Sequence, residues 1–237
     1  MRLLTYNIHK GIGGVDRRYD IERVWRVIEE ETPDIVCLQE VTSGASRTSY
    51  HDQADILADR FQASGHSFQI NVHYDRGGYG NLVLSRWAFE KKHHVCLRMD
   101  RRKPRGAQMT IVNTPEGPLH LTNLHLGLVE RERHWQTERL LNHPRFQGHA
   151  DLPSLVVGDF NDWRNTLAEA QFAAHGFEQL TGPPKQFRSF PAFLPMLSLD
   201  KAFLRGGLRV RDTRLVRTWR AFWASDHLPL VIDFNLA

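Results

Sequence analysis

A carboxylate and a carboxamide two positions apart, Asp159 and Asn161, follow a short apolar run, Ser154 to Val157, that stops at Gly158. Side chains alternate on an extended backbone, so these two are expected to face the same way. An acid and an amide aimed into one cleft can hold a metal-bound water or a phosphate oxygen. The plainer reading is a turn closing a core strand, because Gly, Asp and Asn are turn formers. Other expected strand ends decide between them: Asn7, Glu40, His125, Asp200, and Asp226 with His227 all sit where a core has no use for a polar group. Each has an ordinary explanation alone, such as a solvated strand end, a satisfied core histidine or a cap before Pro229. Together they read as a site, because ligand-binding groups in sheet proteins gather where loops meet over a rigid scaffold. The residue types then select the chemistry. Oxygen donors without thiolates suit Mg²⁺, with Mn²⁺ as a substitute, rather than zinc. A histidine beside carboxylates is held charged or poised as a base. A hard metal, an Asp–His pair and an amide donor supply a Lewis acid, a water activator and an oxyanion clamp, the needs of phosphoryl transfer.

The elements that must position these groups are legible in outline. Leu3 to Ile8 reads as a first strand carrying Asn7. Lys10 to Gly14 is a glycine-rich loop without the lysine–serine ending of a nucleotide-binding P-loop. Asp20 caps an expected helix with apolar residues Ile21, Val24, Trp25, Val27 and Ile28, which Pro33 stops near Thr32. Asp34 to Leu38 reads as a strand delivering Gln39-Glu40 at its end, and Asp52 to Ser64 as a helix stopped by Gly65. Further strands are expected over Ser67 to Tyr74, Leu82 to Leu84, Gln108 to Asn113 and Leu119 to His125, the last two joined by a Thr114–Gly117 turn. A charged helix over Val129 to Asn142 precedes the Asp159 strand, and another runs from Asn165 to His175 with Gly176 as its stop. Gly182 to Pro195 reads as a long surface loop and Trp219 to Ala224 as a loop with two tryptophans. Strands over Leu197 to Leu204, Leu208 to Val216 and Leu228 to Phe234 complete the chain. The mixture of strands and helices makes the class α/β or α+β.

At 237 residues the natural reading is one domain, residues 1–237, with ample chain for a core. The two cysteines, Cys37 and Cys96, imply neither a disulfide framework nor a cysteine zinc site. The start lacks the apolar core of a secretory signal, and no apolar stretch is long enough to span a bilayer. A soluble, cytoplasmic protein without an integral membrane segment is expected. The formal net charge of +4 is mild and suits a phosphate-bearing substrate. Its dense focus is Arg98 to Arg105, either a solvated loop or a contact for anions.

Seven motifs in register carry a resemblance. Thr5-Tyr6-Asn7, Leu38-Gln39-Glu40, Gly80 to Ser85, Asn123-Leu124-His125, Gly158-Asp159-Phe160-Asn161, Leu199-Asp200 and Ser225-Asp226-His227 are similar to those of the endonuclease/exonuclease/phosphatase superfamily across nearly the whole chain. The resemblance implies a four-layered sandwich of two packed mixed β-sheets flanked by helices, and a Mg²⁺-dependent hydrolase of phosphate esters. It implies Glu40 as the principal metal ligand, with Asn7 and Asp226 near the metal or its waters. Asp200 would pair with His227, Asp159 would align or deprotonate the attacking water, and Asn161 and His125 would grip phosphate oxygens. Whether His227 or Asp159 takes the proton stays open at this level. Asn81 and Arg105 sit where several relatives orient substrate. Some relatives carry an acid two residues after the first-motif asparagine, where this chain has His9, so one essential Mg²⁺ is expected rather than two. The expected partner is a phosphate-ester substrate, with nucleic acid, a phosphomonoester, an inositol phosphate or a lipid headgroup as alternatives. The motifs name no protein partner. A non-catalytic binding module is the remote rival, opposed by the intactness of every polar position.

Overall fold

The computed structural model describes residues 1–237. Twelve strands form two six-stranded mixed sheets. The first contains β1 (Arg2–Asn7), β2 (Ile35–Ser43), β3 (Gly65–His73), β4 (Gly78–Ser85), β11 (Leu208–Leu215) and β12 (Leu230–Leu236), in the order β11-β12-β1-β2-β4-β3. The second contains β5 (Phe89–Cys96), β6 (Gly106–Thr114), β7 (Gly117–His125), β8 (Ser154–Asp159), β9 (Glu178–Gln179) and β10 (Asp200–Arg205), in the order β5-β6-β7-β8-β10-β9. Each sheet has one central parallel pair, β1 with β2 and β7 with β8. Helices α1 (Ile21–Glu31) and α2 (Gln53–Phe61) cover the outside of the first sheet; α3 (Glu130–Leu141) and α4 (Pro144–Gln147) cover the second.

Strand periodicity sorts the layers. Leu4 and Tyr6 of β1 and Val36 and Leu38 of β2 pack with Val24, Val27, Ile28 and Leu57 of the helices. Leu3, Ile35 and Cys37 instead meet Leu121, Leu155, Val157 and Ala202 in the core between the sheets. With a period of two, the face that carries Leu3 and Thr5 also carries Asn7, and the face that carries Leu155 and Val157 also carries Asp159. The two sheets therefore bring their polar strand ends together at one rim of the shared core.

Glu40 does not follow from that period. β2 does not end at Leu38, as expected, but continues to Ser43 through a bulge between Leu38 and Val41. Glu40 has φ 59 within it. The extra residue returns Val41 to the helix-facing side and turns Glu40 out of the outer core, the re-aiming that bulges commonly provide.

Other differences have local causes. The second helix stops at Gln62, whose left-handed φ of 53 ends it before Gly65; Gly65 opens β3, where a Cβ would lie 2.5 Å from the Trp87 carbonyl oxygen. Trp219–Ala224 is a helix, α5, because the Thr218 hydroxyl accepts from the Ala221 N–H at 3.2 Å and caps it. The helix expected over Asn165 to His175 forms instead as a π-turn over Ala168–Phe172 and a 3₁₀ turn over Ala173–His175, closed by Gly176 at φ 74. β5 carries mostly exposed charged and imidazole side chains at a sheet edge, so no apolar alternation announces it.

A buried polar seam crosses the otherwise apolar space between the sheets. Gln39, Gln108 and Asn123 are fully buried. Gln39 Nε2 donates to Asn123 Oδ1 at 2.7 Å, and Asn123 Nδ2 donates to the carbonyls of Leu38 and Leu82 and to Gln108 Oε1 at 3.0 to 3.2 Å. Asn123 thus fixes β7 against β2 and β4 one turn of strand below the site. Replacing it with alanine leaves several of these groups unpaired, and the expected loss is about 3 kcal/mol, the upper range for an orphaned buried polar group. Urea unfolding of Asn123→Ala checks this; a midpoint unchanged from wild type would refute the bracing role.

Candidate active site

The cleft at the rim has a volume of about 310 Å³ and is lined by Asn7, Glu40, Arg105, His125, Asp159, Asn161, Asp226 and His227 among others. Glu40 and His227 thus face the same cavity. Asp200 lies immediately behind His227, fully buried. Asn81 lies deeper, 1% exposed, with its amide donating to the Gly106 carbonyl at 2.9 Å, so it braces β4 against β6 rather than lining the cleft.

Asp159 is the hub. Its Oδ2 accepts from Asn7 Nδ2 at 2.9 Å and stands 3.3 Å from His125 Nε2 and 3.8 Å from His227 Nε2. Its Oδ1 accepts the Asn161 backbone N–H at 3.0 Å. Asp159 and Asn161 do not share a face of one extended strand. β8 ends at Asp159, and Asn161 has φ 51, a left-handed position that its short amide side chain tolerates. The turn, not the strand period, brings the two together. Just before it, Gly158 has φ 139 and a Cβ there would lie 2.0 Å from the Leu124 carbonyl oxygen, so β7 and β8 approach closely only around glycine. The Asn161 amide donates to the Leu126 carbonyl at 3.0 Å. Asp162 accepts from the Thr166 and Leu167 N–H groups and holds the following turn.

The tautomers follow from donor chemistry. Arg105 Nη1 lies 3.2 Å from His125 Nδ1. A guanidinium only donates, so Nδ1 accepts and His125 carries its proton on Nε2, facing Asp159. Burial, then Arg105 and His227, push the His125 imidazolium well below its ordinary range, which agrees with a neutral ring. His227 is the opposite case. Its Nδ1 donates to Asp200 Oδ2 at 2.8 Å, and that oxygen also accepts from Ser189 Oγ. Burial acts to lower the His227 pKa, but Asp200 and then Asp159 outweigh it and raise it to about 10. Burial pushes the Asp159 carboxyl up to about 6, against the opposing pull of His227 and the Asn7 hydrogen bond. The site thus holds one cationic and one neutral imidazole on the same carboxylate.

Glu40 is paired with the Lys10 ammonium. Burial would raise its pKa, but Lys10, then Arg105 and His9, hold it below the ordinary carboxylate value. Gln53 fixes the Lys10 loop by donating to the Lys10 carbonyl at 2.7 Å. The same loop passes Gly14, where a Cβ would be 2.7 Å from Asp226 Cα, so the glycines let it close against the last motif. His9, where some relatives carry an acid, lies with Nδ1 3.6 Å from Asp226 Oδ2. Sequence reasoning did not single out Lys10, Ser189 or the cleft-lining Leu128, Trp163 and Phe190, whereas cleft-lining Lys103 belongs to the basic run Arg98 to Arg105. Lys10 had a signal in its glycine-rich loop beside Asn7; Ser189, inside a featureless loop, had none.

The raised His227 pKa is also a statement about stability. An imidazole held above its unfolded value of roughly 6.5 contributes stability that is complete below that pH and fades as pH rises through the folded value of about 10. In the metal-free protein, unfolding free energy is expected to fall between these limits, and in Asp200→Asn, which removes the anion that raises the His227 pKa most, to fall over a narrower range and by a smaller total. Urea unfolding across this range, with the His227 ring followed by NMR, checks it. An unchanged His227 titration and an equal total loss in both proteins would refute the pairing.

The family profile described as "Endonuclease/Exonuclease/phosphatase family" matches residues 4–227. The chain is 30% identical over 247 aligned positions to the uncharacterized protein YbhP of Escherichia coli K12, covering 99% of this chain and 96% of that one. Among solved structures it is similar to an endonuclease/exonuclease/phosphatase of Beutenbergia cavernae, with TM-score 0.81 and 23% identity over 100% of this chain and 72% of that one. It is also similar to a mannosyl-6-phosphatase of Bacteroides thetaiotaomicron, with TM-score 0.75 and 16% identity over the full length of both. At those identities the solved structures speak for the fold alone. The fold, the motifs and the profile spanning nearly the whole sequence agree, and the chain belongs to the endonuclease/exonuclease/phosphatase family.

Proposed function

We propose that this chain hydrolyses a phosphodiester by in-line attack of water, with one divalent cation, Mg²⁺ or Mn²⁺, held at Glu40. The observation that carries this reading is the convergence on Asp159 of Asn7, neutral His125 and cationic His227 in the cleft that also holds Glu40. The donor set suits the cation. No three His, Cys, Asp or Glu side chains close around one point as a ready metal cage. Mg²⁺ does not require one, since it keeps several waters and takes one or two carboxylates with substrate oxygens. Glu40 and Asp226 are two carboxylates on the same cleft, Asn7 adds an amide oxygen, and Glu40 already holds a cation in the form of the Lys10 ammonium. When bound, the ion supplies a Lewis acid that draws charge from the phosphate oxygens.

The side chains divide the remaining work. Asp159, with its pKa raised to about 6, is still largely ionised at neutral pH and is a stronger base than an ordinary carboxylate, so it takes the proton of the attacking water. His227 stays protonated, held by Asp200, and donates to the phosphate oxygens as negative charge builds there; the ester P–O bond opposite the attacking water breaks, and the departing alkoxide takes a proton from solvent water. His125 and Asn161 orient the phosphate, and Arg105 fixes the His125 ring. A second reading, hydrolysis of a phosphomonoester, is favoured by the cationic surplus around Glu40: Lys10, Lys103 and Arg105 would complement a dianionic phosphate.

A metal-dependent panel of plasmid and abasic DNA, RNA, sphingomyelin, inositol phosphates and bis-nitrophenyl phosphate tests the assignment. Hydrolysis of at least one should require Mg²⁺ or Mn²⁺, and its absence from all of them would revive a non-catalytic role. On the best substrate Glu40→Ala should abolish turnover, and His227→Ala should lower it on the order of 10²–10³-fold. Near wild-type rates in folded variants would refute the roles. Lys10→Met, which removes the competing ammonium, should bind Mn²⁺ more tightly by calorimetry; weaker binding would argue against Glu40 as the cation site.

A further inference from the structure

Ten large apolar or aromatic side chains are exposed, and all ten lie at one end of the molecule. The strand registers show this without reference to distance. Val15, Tyr50, Leu128, Val129 and Trp163 follow the C-terminal ends of β1, β2, β7 and β8. Tyr74 precedes β4, which runs antiparallel to β2. Phe193, Leu194 and Met196 precede β10, whose Asp200 pairs with Asp159, and Trp219 precedes β12, whose Leu230 pairs with Thr5. Leu128 and Trp163 line the cleft itself, while Tyr50 and Tyr74 line a second cavity with Arg47 and Arg76, and Trp219 a third, at the same end of the molecule. The turns at the opposite end, around residues 32–34, 86–88, 114–117 and 206–207, expose none. Scattered exposed apolar side chains are ordinary, but their confinement to the end of the molecule that carries the cleft is not.

The same loops carry exposed basic side chains. Arg47, Arg76, Arg98, Arg101, Lys103 and Arg188 have no carboxylate within 4.0 Å among the ion pairs of the structure. The basic run expected from the sequence lies between Cys96 and Gly106, and Gly106 pairs with His125, so it too stands at the cleft end. The rim therefore mixes Leu, Met, Phe and Trp at loop tips with unpaired cations. These side chains are distributed over several separate loops, from the β1, β2, β7 and β8 ends to the segments before β10 and β12.

We propose that this rim docks the cleft face-on to an anionic lipid surface. The chemistry fits on both counts: the apolar tips enter the boundary between headgroups and acyl chains, and the unpaired arginines and lysine meet headgroup phosphates. A bilayer is planar and fluid, so several loop tips of different shape can insert at once. The consequence for catalysis rests on reading the cleft as a phosphate-ester site, because docking would present that site to headgroup phosphates; the docking itself does not.

The test uses the full chain without added metal and vesicles of phosphatidylcholine with or without phosphatidylglycerol, followed by sedimentation. The chain should sediment with the phosphatidylglycerol vesicles. Leu194→Ser and Trp219→Ser, at side chains outside the cleft lining, should each weaken partitioning roughly tenfold, and Arg98→Gln and Arg101→Gln roughly fivefold each. Thermal unfolding of each variant confirms that its fold is kept. No sedimentation with either vesicle overturns the proposal. So does binding that the serine variants leave unchanged, or that duplex DNA displaces equally in wild type and serine variants, since that marks general polyanion attraction. Hydrolysis of bis-nitrophenyl phosphate, measured in parallel, should be unchanged in the serine variants. Vesicle binding by a wild-type chain that hydrolyses no soluble ester supports docking while overturning the cleft assignment.

Discussion

A carboxylate sealed from water must be surrounded by donors or give up its charge. Asp159, 1% exposed, meets this constraint with an amide from β1, an imidazole from β7, an imidazolium before β12 and the N–H of its own turn. Those groups come from both sheets. The geometry of the site is therefore inseparable from the packing of one sheet on the other, and a slip of either would leave Asp159 with too few partners. The same arrangement explains why two histidines differ so sharply. His125 is backed by a cation, Arg105, and stays neutral; His227 is backed by an anion, Asp200, and stays charged. Environment alone sets these roles, as it does wherever paired titratable groups divide acid and base duties.

The packing that supports this hub is unusual in being partly polar. Gln39, Gln108 and Asn123 cross the inter-sheet core with nearly all their hydrogen-bonding groups matched to one another or to strand carbonyls. An apolar core tolerates sliding more easily than a seam whose members must each find one partner. The seam lies directly beneath the cleft, on the same strands that carry Glu40 and His125, and so acts where precise register has most effect. The bulge in β2 works on the same problem locally, turning one carboxylate out of a strand whose period would have aimed it at the helices.

Charge of both signs lines the cleft. Carboxylates stand at Glu40 and Asp226, and cationic or imidazole groups at Lys103, Arg105 and His227, on the walls of the same cleft. Lys10 stands on the boundary, paired to Glu40 yet carried by the flexible end of a side chain. Outside the cleft the pattern changes to exposed apolar tips among unpaired cations, a surface suited to an interface rather than to further chemistry.

Much of this was legible in the residue order. The helix capped by Asp20, the Thr114–Gly117 hairpin and the polar groups at strand ends follow from local rules, because capping, turns and strand alternation depend on neighbours in the chain. The motif resemblance added the architecture and the identity of the groups expected to meet. Local rules failed where distant contacts decide. The bulge at Glu40 exists because β2 continues along β4; the left-handed turn at Asn161 and the Thr218 cap of α5, by contrast, are local features that the strand and loop readings passed over. Ser189 behind Asp200, the Lys10–Glu40 pair and the protonation of the two histidines were set only by tertiary structure. The physical reason is that burial and the neighbouring charge fix an ionisation state, and neither exists until the two sheets have closed on each other.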